Sequence, residues 1–213
     1  MKQSGTAAGR TPVIGIVGGL ASGKSTVARL LEDRGARVVD ADRIGHDVLE
    51  LPDVRGALSE EFGSGILDAD GRVDRQRLAE AVFGKPEKVR RLNDIVHPVI
   101  IGRMHEVLAE LEARDDVPLI VLDVAMLMET RLHEELCRAL LFVRTPEELR
   151  RRRAVETRGM TADQFAAREQ AQLPADVKAA EADFTVSNTG SMEELSSQIG
   201  RIWPDLCGLP GGV

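Results

Sequence analysis

The sequence predicts an α/β fold in which a five-stranded parallel sheet carries helices on both faces. Two observations lead to it. Short apolar runs alternate with longer stretches of helical periodicity along the 213-residue chain, and a glycine-rich turn joins the first such run to the first helical stretch. Strands that alternate with helices are joined by crossovers, and the crossover helices cover a parallel sheet on both sides. The length suits one domain with a sizeable core. Apolar residues at 43% and charged residues at 30% fit a globular protein. No apolar run approaches the roughly 18 residues that a membrane helix needs.

Taken in order, "MKQSGTAAGR" is small and polar and lacks the apolar segment of a secretory signal, so residues 1–11 are expected to be a flexible tail. The expected compartment is the cytoplasm. "VIGIV" (13–17) reads as a buried strand, and "GKSTVARLLEDRG" as a helix with Val27, Leu30 and Leu31 at helical spacing and Gly35 as its C-cap. "ARVVDAD" is a second strand running into acidic residues. From about 43 to 115 the pattern is helical, with breaks at Pro52, "FGSG", "DADG", "GKP" and "HP". That segment exceeds a normal crossover, so it is expected to stand beside the sheet as a subdomain. "VPLIVLDVAML" (117–127), "RALLFVRT" (138–145) and "ADFTVSNTG" (182–190) supply the third, fourth and fifth strands.

Cys137 and Cys207 fit no metal-ligand or redox spacing and read as reduced thiols without chemistry. A net charge of -7 argues against a broad nucleic-acid-binding surface. Arg150 to Arg153 form the one obvious basic patch.

Gly18, four residues, then Gly23, Lys24 and Ser25 satisfy G-x-x-x-x-G-K-[ST] in full, between a predicted strand and a predicted helix. Glycines let several N–H groups converge on phosphate oxygens, and the helix N-terminus adds partial positive charge. Residues Gly19, Leu20, Ala21, Ser22, Gly23, Lys24, Ser25 and Thr26 are therefore expected to bind ATP. Lys24 would bridge the outer phosphates and Ser25 would ligate Mg²⁺. The motif defines a P-loop nucleoside triphosphate fold but does not separate switch GTPases, ATPases and small-molecule kinases. A switch GTPase needs a base-reading N-K-x-D, which is absent, and "DADG" (68–71) lies between helical stretches as a turn.

Asp40 and Asp42 end the predicted second strand, on the sheet edge where open α/β folds bind ligands. A carboxylate there can take the proton of an attacking hydroxyl, or it can cap a helix.

"GGLASGKSTVA", "VVDADRIGHDVL", "LNDIVHPVI", "LDVAMLMET" and "EADFTVSNTGSMEEL", in this order from about 13 to 203, resemble the dephospho-CoA kinase family. The resemblance implies ATP-dependent phosphorylation of the ribose 3′-hydroxyl of dephospho-CoA, the last step of coenzyme A synthesis. It implies a core (12–42, 116–145, 181–207), a helical substrate-binding subdomain (43–115) and a lid (146–180). Carried over by position, Asp42 is the base or orienter of the hydroxyl, and His97 lies in the substrate-side motif. Before a proline that can occupy a helix's first turn, His97 can equally be a packed or capping residue.

Phosphoryl transfer needs arginines closing over the phosphates. In the stretch that resembles the lid, Arg153 and Arg158 are chosen for this, and the rest of the four consecutive arginines are expected to be solvated. Asp123 reads as a carboxylate organising Mg²⁺ through water, or as a loop cap. Asn188 reads as part of the adenine-side loop, or as an ordinary turn residue.

The chain departs from the family pattern at Ala125 and Met126, where proline and leucine are usual, at Arg158-Gly159 in place of Arg-Asp, and at Ser187-Asn188 in place of Asp-Asn. It has no tyrosine, so adenine is expected to stack on an arginine plane or aliphatic groups. The expected partners are dephospho-CoA and ATP, with no nucleic acid, membrane or obligatory protein partner. The rival readings are a nucleoside monophosphate or other small-metabolite kinase, and a nucleic-acid-binding P-loop ATPase. A backbone-binding surface would have to be continuous and basic, against the acidic balance of this chain.

Overall fold

A computed structural model, describing residues 10–211, places five strands in one sheet: β1 (Val13–Val17), β2 (Arg37–Asp40), β3 (Ile120–Asp123), β4 (Ala139–Arg144) and β5 (Phe184–Ser187). Their spatial order is β2-β3-β1-β4-β5. Strand β1 runs parallel to β3 and β4, with Gly15 opposite both Leu122 and Leu140, and β4 runs parallel to β5. All five residues of β1 are buried, as its central position requires. The helices are α1 (Lys24–Glu32), α2 (Ala41–Leu49), α3 (Pro52–Phe62), α4 (Arg75–Val82), α5 (Pro86–Glu112), α6 (Leu132–Leu136), α7 (Glu147–Arg158), α8 (Ala162–Gln170), α9 (Ala175–Glu181) and α10 (Met192–Cys207). Among the described residues no helix is long and apolar enough to cross a membrane.

The chain divides into two compact units. One runs up to Val39 and resumes from Leu108; the other is Asp40–Val107. In the first, Ile14, Ile16, Val121, Leu141 and Val143 of the sheet pack with Val27 and Leu31 of α1 and Leu195 and Ile199 of α10. The apolar spacing of α1 thus buries the face it predicts. In the second, Val48, Val54, Leu58, Ile66, Leu78 and Val96 from α2 to α5 form a core of their own. The "DADG" turn closes as expected, with Asp68 Oδ1 accepting from the N–H groups of Asp70 (2.9 Å) and Arg72 (2.8 Å).

Several local expectations are corrected. Helix α1 ends at Glu32 with Asp33 as its C-cap; Gly35, at φ 105°, lies two residues further on and turns the chain back so that Ala36 N–H donates to Leu31 O at 3.1 Å. The second strand stops at Asp40 rather than Asp42. Asp40 is the N-cap of α2, its Oδ1 accepting from Asp42 N–H (2.8 Å) and Arg43 N–H (3.2 Å), so Asp42 lies in the first helical turn. The tail expected at 1–11 falls, for residues 1–9, outside the described residues. Thr11 is buried and donates from Oγ1 to Val117 O at 3.0 Å, which ties it to the core.

The "HP" break is also overturned. Helix α5 runs unbroken for 27 residues with Pro98 inside it, so His97 sits in mid-helix and exposed rather than before a first turn. Packing of Val96 against the second core, with Leu92, Val99 and Ile100 beside it, outweighs the missing N–H and the steric clash of an interior proline. Pro98→Ala should restore a helical hydrogen bond and raise the stability of the protein by about 1–3 kcal/mol. A thermal or urea melt checks this, and a fall in stability would show that the proline is accommodated without cost.

Candidate active site

The turn from β1 into α1 holds the glycine-rich loop. Gly23, the N-cap of α1, has φ 93°, a left-handed conformation, and a Cβ there would collide with the Asn188 amide. At Gly19 a Cβ would collide with the guanidinium of Arg150. Gly23 of the motif and Gly19 in its variable stretch are thus both constrained by the side chains that stand behind the loop.

The loop carbonyls are tied down from the ends of β4 and β5. Ser22 O accepts from Thr145 Oγ1 and from Asn188 Nδ2, each at 2.9 Å. Arg153 donates to Asn188 O at 3.1 Å. Arg150 donates to Leu20 O (3.3 Å) and Thr145 O (3.2 Å), pairs with Glu169 of α8 at 2.5 Å, and lies 5.8 Å over the Phe165 ring. Ala21, at φ 57°, is held in a left-handed conformation between these anchors.

Lys24 Nζ donates to Gly18 O (3.0 Å) and Gly19 O (3.2 Å). Burial holds its pKa below the ordinary lysine value; Asp123 opposes the shift, Lys178 and Arg158 add to it, and Glu129 opposes it. Ser25 is exposed in the first turn of α1 and Thr26 is half-buried beside it.

The expected residues thus fall into two sets. Gly19 to Thr26, Asp123, Arg153, Arg158 and Asn188 lie in the sheet-containing unit, where Arg153, Asn188 and Ser22 are in direct contact and Asp123 and Arg158 act on Lys24. Asp42 and His97 belong to the helical unit, both exposed. Asn188 is no ordinary turn residue: it is 9% exposed and its amide braces the loop.

Two features escaped the sequence reading. The expectation that the rest of the arginine run is solvated holds for Arg151 and Arg152 but is corrected at Arg150, which is 4% exposed and committed to the back of the loop. Its helical spacing to the fully buried Ala154 is the signal that marks this face. The second is an ion pair between Lys178 of α9 and Glu129, in the loop after β3, with Nζ 2.8 Å from Oε1. Glu129 Oε1 also accepts from Leu173 N–H (2.8 Å), and Lys178 donates to Gln172 (3.1 Å). One carboxylate therefore holds two points of the segment 172–178 directly, and Lys178 links Gln172 to it. The Glu129 carboxyl feels burial, which favours its neutral form, but the hydrogen bonds from Lys178 and Leu173 prevail and hold its pKa below the usual value. The flanking loop is left-handed at Met126 (φ 61°) and Arg131 (φ 59°).

Cys137 is free and largely buried, its thiol pushed up to about 12 by desolvation, which leaves it unreactive.

A phosphate loop at the carboxyl end of a central parallel strand, arginine-bearing helices after β4 and a separate helical unit after β2 define a P-loop kinase of small molecules. The model of the dephospho-CoA kinase family matches residues 12–194. A dephospho-CoA kinase of Anaeromyxobacter dehalogenans is 41% identical over 197 residues, covering 92% of each chain, and one of Carboxydothermus hydrogenoformans is 38% identical over 190 residues, covering 88% of this chain and 91% of that one. The solved structure of TT1252 from Thermus thermophilus superposes with a TM-score of 0.78 at 34% identity, covering 92% of this chain and 98% of that one. The dephospho-CoA kinase from Campylobacter jejuni, at 21% identity and a TM-score of 0.67, shares the fold. The chain belongs to the dephospho-CoA kinase family.

Glu129→Ala should destabilise the protein by about 3–5 kcal/mol, because it leaves the buried Lys178 charge unpaired, and Glu129→Ala with Lys178→Met should recover much of the loss. Because the folded-state pKa of Glu129 is depressed, its contribution is present above the usual glutamate range and is lost as pH falls through the folded value. Melts of the single and double variants at neutral and acid pH test this; equal losses at both pH values would remove the ion pair as their cause.

Proposed function

We propose that the chain carries out the reaction of its family, ATP-dependent phosphorylation of the ribose 3′-hydroxyl of dephospho-CoA, with Asp42 as the proton acceptor. The braced phosphate loop carries this reading. Its N–H groups from Gly19 to Thr26 and the Lys24 ammonium hold the triphosphate, and Arg153 and Arg158 neutralise charge on the moving phosphoryl group. The acceptor oxygen bonds to the γ-phosphorus as the bond from that phosphorus to the β,γ-bridging oxygen breaks, the hydroxyl proton passes to Asp42, and ADP leaves. His97 is assigned to the acceptor side and Asn188 to the adenine side of ATP. Residues 146–180 are assigned as the lid, 43–115 as the acceptor-binding subdomain and the remainder from 12 to 207 as the core.

The residues present suit a magnesium ion carried in with ATP. Among the described residues no cluster of three or more histidine, cysteine or acidic side chains is placed to cage a metal. Mg²⁺ typically uses one or two protein groups together with phosphates and water, and here these are the exposed Ser25 hydroxyl and, through water, the half-buried Asp123 carboxylate. When bound, the ion offsets charge on the β- and γ-phosphates. The two free cysteines fit a reducing compartment, which supports a cytoplasmic assignment.

Asp42→Asn should lower kcat by about 100-fold or more while leaving ATP affinity unchanged, since it removes a proton acceptor and leaves the loop intact. Nucleotide titration and steady-state kinetics measure both; an unchanged kcat would remove Asp42 from this role. Lys24→Ala should instead weaken ATP binding and lower turnover together, turnover by about 100-fold. Normal nucleotide affinity and rate in that variant would refute the Lys24 assignment.

A further inference from the structure

The helical unit carries a groove of about 520 Å³ between α2, α4 and α5, and Asp42 lies on it. Its walls are largely aliphatic, with Leu49, Leu78, Val96 and Ile100 among them, and no Phe or Trp lines it. Four polar side chains also line the groove: Asp42, His46, Arg75 and Asn93. Among the described residues none of these four makes a hydrogen bond or ion pair, whereas Arg72 and Arg77 nearby are paired with Asp70 and Asp74. Asn93 is half-buried, so its amide has lost part of its water without gaining a protein partner. On the α2 side the groove passes Gly45, where a Cβ would only just touch Ile100 Cδ1, at 3.5 Å.

We propose that this groove receives the adenine base of dephospho-CoA and that Asn93 reads the base's hydrogen-bonding edge. The inference rests on the assignment of Asp42 to the 3′-hydroxyl. The sugar carbon bearing that hydroxyl is two bonds from the carbon that carries the base, so a ribose held at Asp42 directs its base into the space adjoining Asp42. The diphosphate is excluded from aliphatic walls by the cost of desolvating its charge. A purine has apolar faces to lie against aliphatic side chains and one edge that needs a donor and an acceptor together. The asparagine amide supplies both, and its bidentate pairing with adenine is a geometry that fits. Arg75 gives the groove a cation suited to the diphosphate that leaves from the far side of the sugar.

The test compares dephospho-CoA with its analogue carrying hypoxanthine in place of adenine, in the unaltered protein, Asn93→Ala and Gly45→Leu. The unaltered protein should favour the adenine acceptor by about tenfold to a hundredfold in kcat/KM, and Asn93→Ala should erase that preference while leaving the KM for ATP unchanged. Leucine is the better helix former, so Gly45→Leu should keep its melting temperature while its side chain enters the groove and raises the KM for dephospho-CoA about tenfold or more. An unchanged acceptor KM in Gly45→Leu overturns the placement of the acceptor in the groove, and a base preference that survives in Asn93→Ala overturns the reading of the base by Asn93. Loss of the Asp42 assignment would show in kcat of Asp42→Asn, a different constant in a different variant, so the two failures are distinguishable.

Discussion

A phosphate loop can present its N–H groups forward only if its carbonyls turn back, and the carbonyls then need donors of their own. In this protein that need organises the sheet-containing unit. Ser22 O takes one bond from Thr145, just past β4, and one from Asn188, just past β5. Leu20 O takes a bond from Arg150 on α7. The strand order β3-β1-β4-β5 brings these donors to the loop after β1, so the topology of the sheet and the shape of the loop are one constraint. The glycines at 19 and 23 follow from it, since a side chain at either would displace the Arg150 or Asn188 group that completes the brace.

The same unit gathers charge in front of the brace. Lys178 and Arg158 act on Lys24 at the loop, and Asp123 and Glu129 oppose them there. The burial of Lys24 would strengthen its attraction for an anion placed at the loop relative to the same pair in water. Glu129 has a second duty. By holding Lys178 and the Leu173 N–H at once, it joins the strained loop after β3 to the segment leading into α9, so the acid side of the site and the trailing part of the proposed lid share an anchor.

Much of this was legible in the sequence, and the limits have a physical cause. The phosphate loop is a local pattern: strand, turn and helix lie within two dozen residues, and the motif fixes which atoms face the phosphates. The five strands were legible for the same reason, although β3 covers only Ile120–Asp123 of the longer apolar run that marked it. The brace was not legible, because Arg150 and Leu20 are 130 residues apart and Glu129 and Leu173 are 44 apart, and no short window shows which of four consecutive arginines turns inward. Asp40 and Asp42 show the same limit at close range. Both carboxylates fit a strand end, and only the backbone path shows that Asp40 caps the helix and leaves Asp42 uncommitted.

Conflict between local rule and observed structure is itself informative, since sequences are expected to break local preferences where function requires it. The sheet-containing unit shows the paid-up case: its buried cations Arg150 and Lys178 each have an acid partner and carbonyls or an amide besides. The helical unit shows the opposite. It keeps a proline inside α5, a glycine inside α2, and an asparagine on α5 whose amide has no partner among the described residues. Each lowers the stability that the unit has on its own. Gly45 and Asn93 lie on the same groove as Asp42, an arrangement that fold stability alone does not require and that the proposed acceptor groove would.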